Sequence, residues 1–278
     1  MSNKFEIVSK LGEGQFGAVF LGKKRHCDEY VALKVEYNDS PYKMIKHEVK
    51  MLHYLYENGC QNIPSIFWFG QYETHLCMAM SYYDCSFEEY IQTDSIQQNS
   101  KSSEDYFIKM IEIMEHIHDK YVIHCDVKPA NFMIRGDELY LIDFGLSKIY
   151  IDENHKHIQN TKHDDTIIGT PKYVSIHIHQ GCSPARRDDL ISCAYIYLYS
   201  KMKTVPWENI PDSNEQKDDF PSNHLKYYKN QERMTLKQDM NVILSEHNLG
   251  IILTQMYLLT FEQRPNYRFY MDHSLSKS

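Results

Sequence analysis

The segment 123–134 reads IHCDVKPANFMI and sets Asp126, Lys128 and Asn131 close together in one short stretch. Further on, LYLIDFGLSK presents Asp143 in an Asp-Phe-Gly triplet. Two carboxylates, an ammonium and a side-chain amide are what phosphoryl transfer asks of a protein. It needs a group to orient the attacking hydroxyl, positive charge at the transferred phosphate, and hard oxygen donors for Mg²⁺. On this reading Asp126 takes the hydroxyl, Lys128 touches the γ-phosphate, and Asn131 with Asp143 holds the metal. Each residue alone has a plainer explanation, since an isolated Asp is often a turn cap.

The N-terminal part supplies what those residues lack. The run GEGQFGAV carries Gly12, Gly14, Gly17 and Val19, and glycine lets backbone approach phosphates because no Cβ intervenes. The same spacing occurs in dinucleotide-binding folds, but those require a helix after the glycines. AVFLG is β-branched and aromatic, and it leads to another strand, YVALKVEY. That strand carries Lys34. The following helix carries Glu48, placed to hold the Lys34 ammonium toward the phosphates of ATP. Glu48 is preferred to Glu36 and Glu57 because it lies mid-helix; the plainer alternative is an exposed charge paired with Lys43 or Lys50. The joint order of glycine turn, strand Lys, helix Glu, Asp126 to Asn131 and Asp143 makes coincidence a poor account.

These residues need particular elements to position them. Residues 5 to 35 contain two β-type runs around a turn, and YKMIKHEVKMLHYLYENG places Met44, Glu48, Met51, Leu52 and Leu55 at helical spacing before Gly59 ends the helix. SIFWFGQY and HLCMAMSY read as strands. From Phe87 onward helical patterns dominate, in DYFIKMIEIMEHIHDKY, DDLISCAYIYLYSKM and GIILTQMYLLTF, the first starting at Ser102 or Ser103. The expectation is an α+β fold of two lobes: β-rich over 1–80, a hinge at 81–85, and a larger helical part over 86–278. Segments 151–168 and 208–222 read as loops.

Composition narrows the partners. With 278 residues and a formal net charge of −8, no general attraction to nucleic acid or an anionic membrane is expected. The start MSNKFEIVSKLGEG lacks the pattern of a secretory leader, and no apolar run is long enough for a bilayer. Seven cysteines without CxxC pairing suit reduced thiols, hence a cytoplasmic or nuclear setting.

Taken together, the chain resembles the eukaryotic protein kinases, and more narrowly the casein kinase 1 family. NIPSIFWFGQY, IHCDVKPANFMI, LIDFGLSKIY, GTPKYVSIHIHQG and ARRDDLISCAYIYLY are similar to that family's segments in order and spacing. Lys128 and Thr170 resemble the Ser/Thr-specific branch. The resemblance implies a two-lobed kinase fold, ATP and Mg²⁺ as cofactors, and a monomer acting on protein substrates with acidic or phosphorylated motifs. It implies ATP contacts at Leu11, Gly12, Gly14, Gly17, Val19, Ala32, Lys34, Met80 and Tyr83, with the backbone of Ser81 to Tyr83 reading adenine. It also implies that Asp189 hydrogen-bonds the backbone of the catalytic loop. For acidic sites it points to Lys172, with Arg233 or Lys229 assisting; Arg186 and Arg187 match as well, although a solvated pairing with Asp188 is equally open.

Two departures stand out. Cys125 occupies the family's Arg position, where a thiol cannot make a bidentate ion pair, so activity is expected without phosphorylation of 146–174. Simple burial is the favoured role for that thiol. His177 replaces the family's Asn, and no Glu stands there to pair with Arg264, so the 262–267 segment must be anchored differently. The competing reading is a pseudokinase that binds nucleotide or scaffolds. His155, His157 and His163, and the HIH at 177–179, are read as solvated loops rather than zinc sites.

Overall fold

The computed structural model describes residues 4–14, 17–37, 43–93, 101–161, 167–208, 222–239 and 247–273. Its first elements are β1 (Phe5–Gly14), β2 (Gly17–Lys24), β3 (Tyr30–Glu36), α1 (Met44–Glu57), β4 (Ile66–Tyr72) and β5 (His75–Ser81). The strands form one antiparallel sheet in the order β1-β2-β3-β5-β4. Strand alternation sorts its faces. Phe5, Val31, Leu33 and Ala79 make a core with Phe20 and Trp68 on one side. Ala32 and Lys34 point the other way. Register puts Val19 and Met78 beside Lys34, and Leu21 and Met80 beside Ala32, so four of the expected ATP contacts share one face.

Where two β runs were expected in residues 5–35, there are three strands. Only Phe5 of β1 is buried, so its polar sequence carries little alternation. Helix α1 buries Ile45, Glu48, Val49, Leu52 and Leu55 on one face. Its first amides are capped from a distance: Glu36 Oε1, at the end of β3, accepts from Met44 N at 2.5 Å and Ile45 N at 3.2 Å.

The remaining elements are β6 (Cys85–Ser86), α2 (Phe87–Gln92), α3 (Ser103–His118), β7 (Val122–Ile123), β8 (Phe132–Arg135), β9 (Glu138–Leu141), β10 (Lys148–Ile149), α4 (Ile176–His179), α5 (Arg186–Met202), α6 (Ser222–Gln238), α7 (His247–Leu258) and α8 (Tyr267–His273). Ser102 caps α3, accepting from Asp105 N while Asp105 accepts from Ser102 N. Helix α5 is buried from Arg187 through Ser200, as befits the centre of a helical layer.

Two compact units result: Met1–Phe87 with Asn131–Ser147, and Glu88–Ala130 with Lys148–Ser278. The β8–β9 hairpin joins the first unit because Ile134 pairs with Cys85 on β6 and Leu141 N donates to Asn62 O at 2.9 Å. The expected division at 81–85 contained no such return. All seven cysteines are free thiols. Among the described residues, no helix is long and apolar enough to cross a membrane.

Candidate active site

In the first unit, Lys34 Nζ donates to Glu48 Oε2 at 2.7 Å and to Asp143 Oδ1 at 2.8 Å. Glu48 is fully buried on the apolar face of α1, a position where a carboxylate is tolerated only with a partner. Glu36 instead caps α1 and Glu57 is exposed, which leaves Glu48 as the helix acid that meets Lys34. Burial alone would lower the Lys34 pKa; the Glu48 and Asp143 carboxylates outweigh it and hold the group above the usual lysine range. Two carboxylates around one ammonium leave a negative balance suited to a divalent cation.

The β8–β9 hairpin supplies the oxygen donors for such a cation. Phe132 pairs with Leu141, and Ile142 N donates to Asn131 O at 2.9 Å. Asn131 and Asp143 therefore stand at the open end of one hairpin, a donor set that fits Mg²⁺. Asp143 has a left-handed backbone, φ 66° and ψ 67°, and a side chain 42% exposed. The next residue, Phe144, is fully buried. Ser147 Oγ donates to Phe144 O at 2.6 Å, and the His47 ring donates to Ser147 O at 2.8 Å.

Of the expected ATP residues, Ala32, Met80 and Tyr83 are buried and Leu11 is half exposed. Gly12 pairs with Val19, and a Cβ at Gly12 or Gly14 would meet nothing within 4 Å. Gly17 differs: its Cβ would lie 2.0 Å from Val35 O, so strand pairing requires that glycine. Gln15 and Phe16, between β1 and β2 in sequence, lie outside the described residues.

In the second unit, Asp126, Lys128 and Thr170 close a triangle. Lys128 Nζ donates to Asp126 Oδ2 at 2.7 Å and to Thr170 Oγ1 at 3.3 Å, and Thr170 Oγ1 donates to Asp126 Oδ1 at 2.7 Å. The loop beneath is held by Asp189, whose oxygens accept from His124 N at 2.7 Å and Cys125 N at 3.0 Å. His118 braces that carboxylate, with Nε2 at 3.0 Å from Asp189 and Nδ1 at 2.8 Å from the Tyr267 hydroxyl. Cys125 has φ 70°. Gly169 has φ +100°, and a Cβ there would come within 2.6 Å of Cys125 O, so only glycine fits this approach.

Cys125 is buried in an apolar cluster with Ile123 and Tyr150, flanked by Ile151, Ile158 and Ile168. Burial pushes its thiol well above the usual range. Segment 151–158 is more than a loop, since Ile151 bridges His157. His157 is not solvated: its ring packs between Tyr150 at 5.2 Å and Phe261 at 4.9 Å. Nor are His177 and His179, which lie on α4, the latter buried. His163 lies outside the described residues. Among the described residues, no group of three His, Cys, Asp or Glu is arranged for a metal ion.

Arg264 is anchored by Asp119 at 2.9 Å and Glu115 at 3.5 Å, an alternative to the missing Glu. Three of the five cations expected at an acid-recognition site are engaged within the fold. Lys172 pairs with Glu208. Arg186 donates to Tyr150 Oη at 3.2 Å and Glu262 O at 2.5 Å. Arg187 is buried and donates to Leu259 O at 2.5 Å; its pairing with Asp188, at 3.9 Å, is buried rather than solvated. The Lys229 side chain lies outside the described residues; Arg233 is half-buried on α6. Sequence reasoning weighed Glu36 only as a partner for Lys34 and missed its capping role, and it missed Lys237, because a strand-end acid and one Lys on a polar helix carry no periodic signal.

The family model for the protein kinase domain matches residues 5–276. That span takes in both residue clusters described above, and the chain belongs to the protein kinase domain family.

Proposed function

We propose that the chain is an active serine/threonine kinase of casein kinase 1 type. It transfers the ATP γ-phosphate to protein Ser and Thr hydroxyls, favours acidic or already phosphorylated sites, and works as a monomer in cytoplasm or nucleus. The observation that carries the reading is Lys34, held between Glu48 and Asp143. Mg²⁺ bound by oxygens of Asn131 and Asp143 would supply neutralising charge at the phosphate oxygens. Lys34 binds and orients phosphate through an ammonium kept charged by its two acids. Asp126 orients the substrate hydroxyl and accepts its proton, while Lys128 offers a cation to the transferred group. Leu11, Gly12, Gly14, Gly17, Val19, Ala32, Met80 and Tyr83 enclose the nucleotide. Turnover on the order of 1–100 per second fits such chemistry.

The acidic preference rests on the family resemblance at Lys172, with Arg233 assisting. Since Glu208 already balances Lys172, acidic selection here leans more on Arg233 than the resemblance alone implies.

The test is transfer of labelled phosphate from Mg-ATP to dephosphorylated casein, comparing wild type with Asp143→Ala. Label on Ser and Thr in the wild type, falling by about 100-fold or more in the variant, is expected. Nucleotide binding without transfer would establish the pseudokinase reading instead.

A further inference from the structure

Lys237 on α6 is fully buried, and among the described residues no carboxylate pairs with it. Its Nζ donates to Pro171 O at 2.9 Å and Val174 O at 2.7 Å, and lies 3.0 Å from His179 Nε2. The rings of Tyr195 and Trp207 flank it at 5.1 and 5.4 Å. The Lys237 amine thus meets two carbonyl acceptors, one ring nitrogen and two π faces, with no counter-ion among the described residues. Burial, with Arg233 adding to it, pushes the Lys237 pKa well down, while burial first and then the Lys237 and Arg233 charges push His179 to about 3. His179 is therefore neutral.

Lys237 is part of a wider arrangement. Four successive carbonyls accept from side chains: Pro171 O and Val174 O from Lys237, Lys172 O from Trp207 Nε1 at 2.7 Å, and Tyr173 O from Ser192 Oγ at 2.8 Å. Loop carbonyls ordinarily turn to water. The amides of Tyr173 and Val174 turn back onto Thr170 O at 2.8 and 3.0 Å, and Thr170 Oγ1 bonds Asp126. Backbone geometry fixed at 171–174 is thus passed to the residue touching the proposed hydroxyl acceptor.

We propose that Lys237 is a positioning residue for the protein substrate: it fixes the backbone of 170–174 through Pro171 and Val174, and so sets where a substrate chain lies beside Asp126. This rests on the kinase reading above. A merely structural lysine would lower stability and leave substrate parameters alone; a positioning one separates the two substrates.

The experiment compares wild type with Lys237→Met, an apolar side chain of similar length, and with Trp207→Phe, which keeps the ring but loses the bond to Lys172 O. Thermal unfolding is measured alongside KM for dephosphorylated casein, KM for ATP and ATP hydrolysis without casein. The expected result for Lys237→Met is a rise of about tenfold in KM for casein, with ATP parameters within about twofold, and a smaller shift of the same kind for Trp207→Phe. If Lys237→Met does not fold, Trp207→Phe decides alone. Casein parameters unchanged in a folded variant, or casein and ATP parameters declining together, would overturn the inference while leaving the kinase reading intact. Absence of transfer by the wild type would overturn both.

Discussion

On the proposed reading, Cys125 takes away a point at which phosphorylation could control the site. Its sulfur sits among Ile123, Tyr150 and flanking isoleucines, where an unpaired cation would cost several kcal/mol. A phosphate on the 146–174 segment would find a thiol, not a cation, at position 125 itself. Tyr150 instead ties the segment down, donating to His118 O at 2.6 Å and receiving Arg186 on its hydroxyl. Phosphatase treatment of the purified protein is therefore expected to leave turnover within about twofold; a tenfold loss would mean that a phosphate elsewhere does the ordering. The Lys34 pair shows the opposite economy. Glu48 is kept in the core only because an ammonium reaches it, and breaking such a pair costs about 3–5 kcal/mol.

At the scale of elements, the β1–β2 turn separates two roles that glycines share in one motif. A Cβ at Gly17 runs into the Val35 carbonyl, which is backbone and cannot swing aside, whereas a Cβ at Gly12 meets open space. Gly17→Ala is expected to cost about 1–3 kcal/mol, seen as a lower midpoint in thermal unfolding, and Gly12→Ala to leave the midpoint within about a degree while raising KM for ATP. Equal midpoints for both variants would refute the strand-pairing role of Gly17. That distinction was not legible in the sequence, where the glycines look alike. Lys34, Asp126, Asn131 and Asp143 could be singled out because each stands in a short motif of fixed spacing, Glu48 because it lies in the middle of a helix, and α1 and α3 because their apolar positions recur at helical intervals. The two-residue strands β6, β7 and β10 are too short for any period to show. Helix α6, whose sequence is polar, offers no apolar stripe from which Lys237 could be picked out. The hold on the 171–174 carbonyls comes from donors far along the chain, and no local pattern encodes it.

For the whole molecule, the buried histidines set the response to acid. Burial and the Arg187 charge push His177 to about 4; burial, Lys237 and Arg233 push His179 to about 3; burial also lowers His118. The folded pKa of each lies below its unfolded value of 6.5, so their stabilisation is fully present above that pH and is lost as pH falls toward 4. Asp188 works the other way. Burial, opposed by Ser175 and Arg187, raises it from 3.8 to about 6, so its contribution is present below 3.8 and disappears as pH rises through 6. Near pH 5 the unfolded chain then carries at least one proton more than the folded chain, a slope of about 1.4 kcal/mol per pH unit. Urea unfolding followed by circular dichroism is expected to show stability lower by about 2 kcal/mol at pH 5 than at pH 7, and His177→Gln should flatten the dependence. A midpoint that stays constant or rises on acidification would show that these imidazoles take up protons in the folded chain, and that the packing around α4 is looser than its burial indicates.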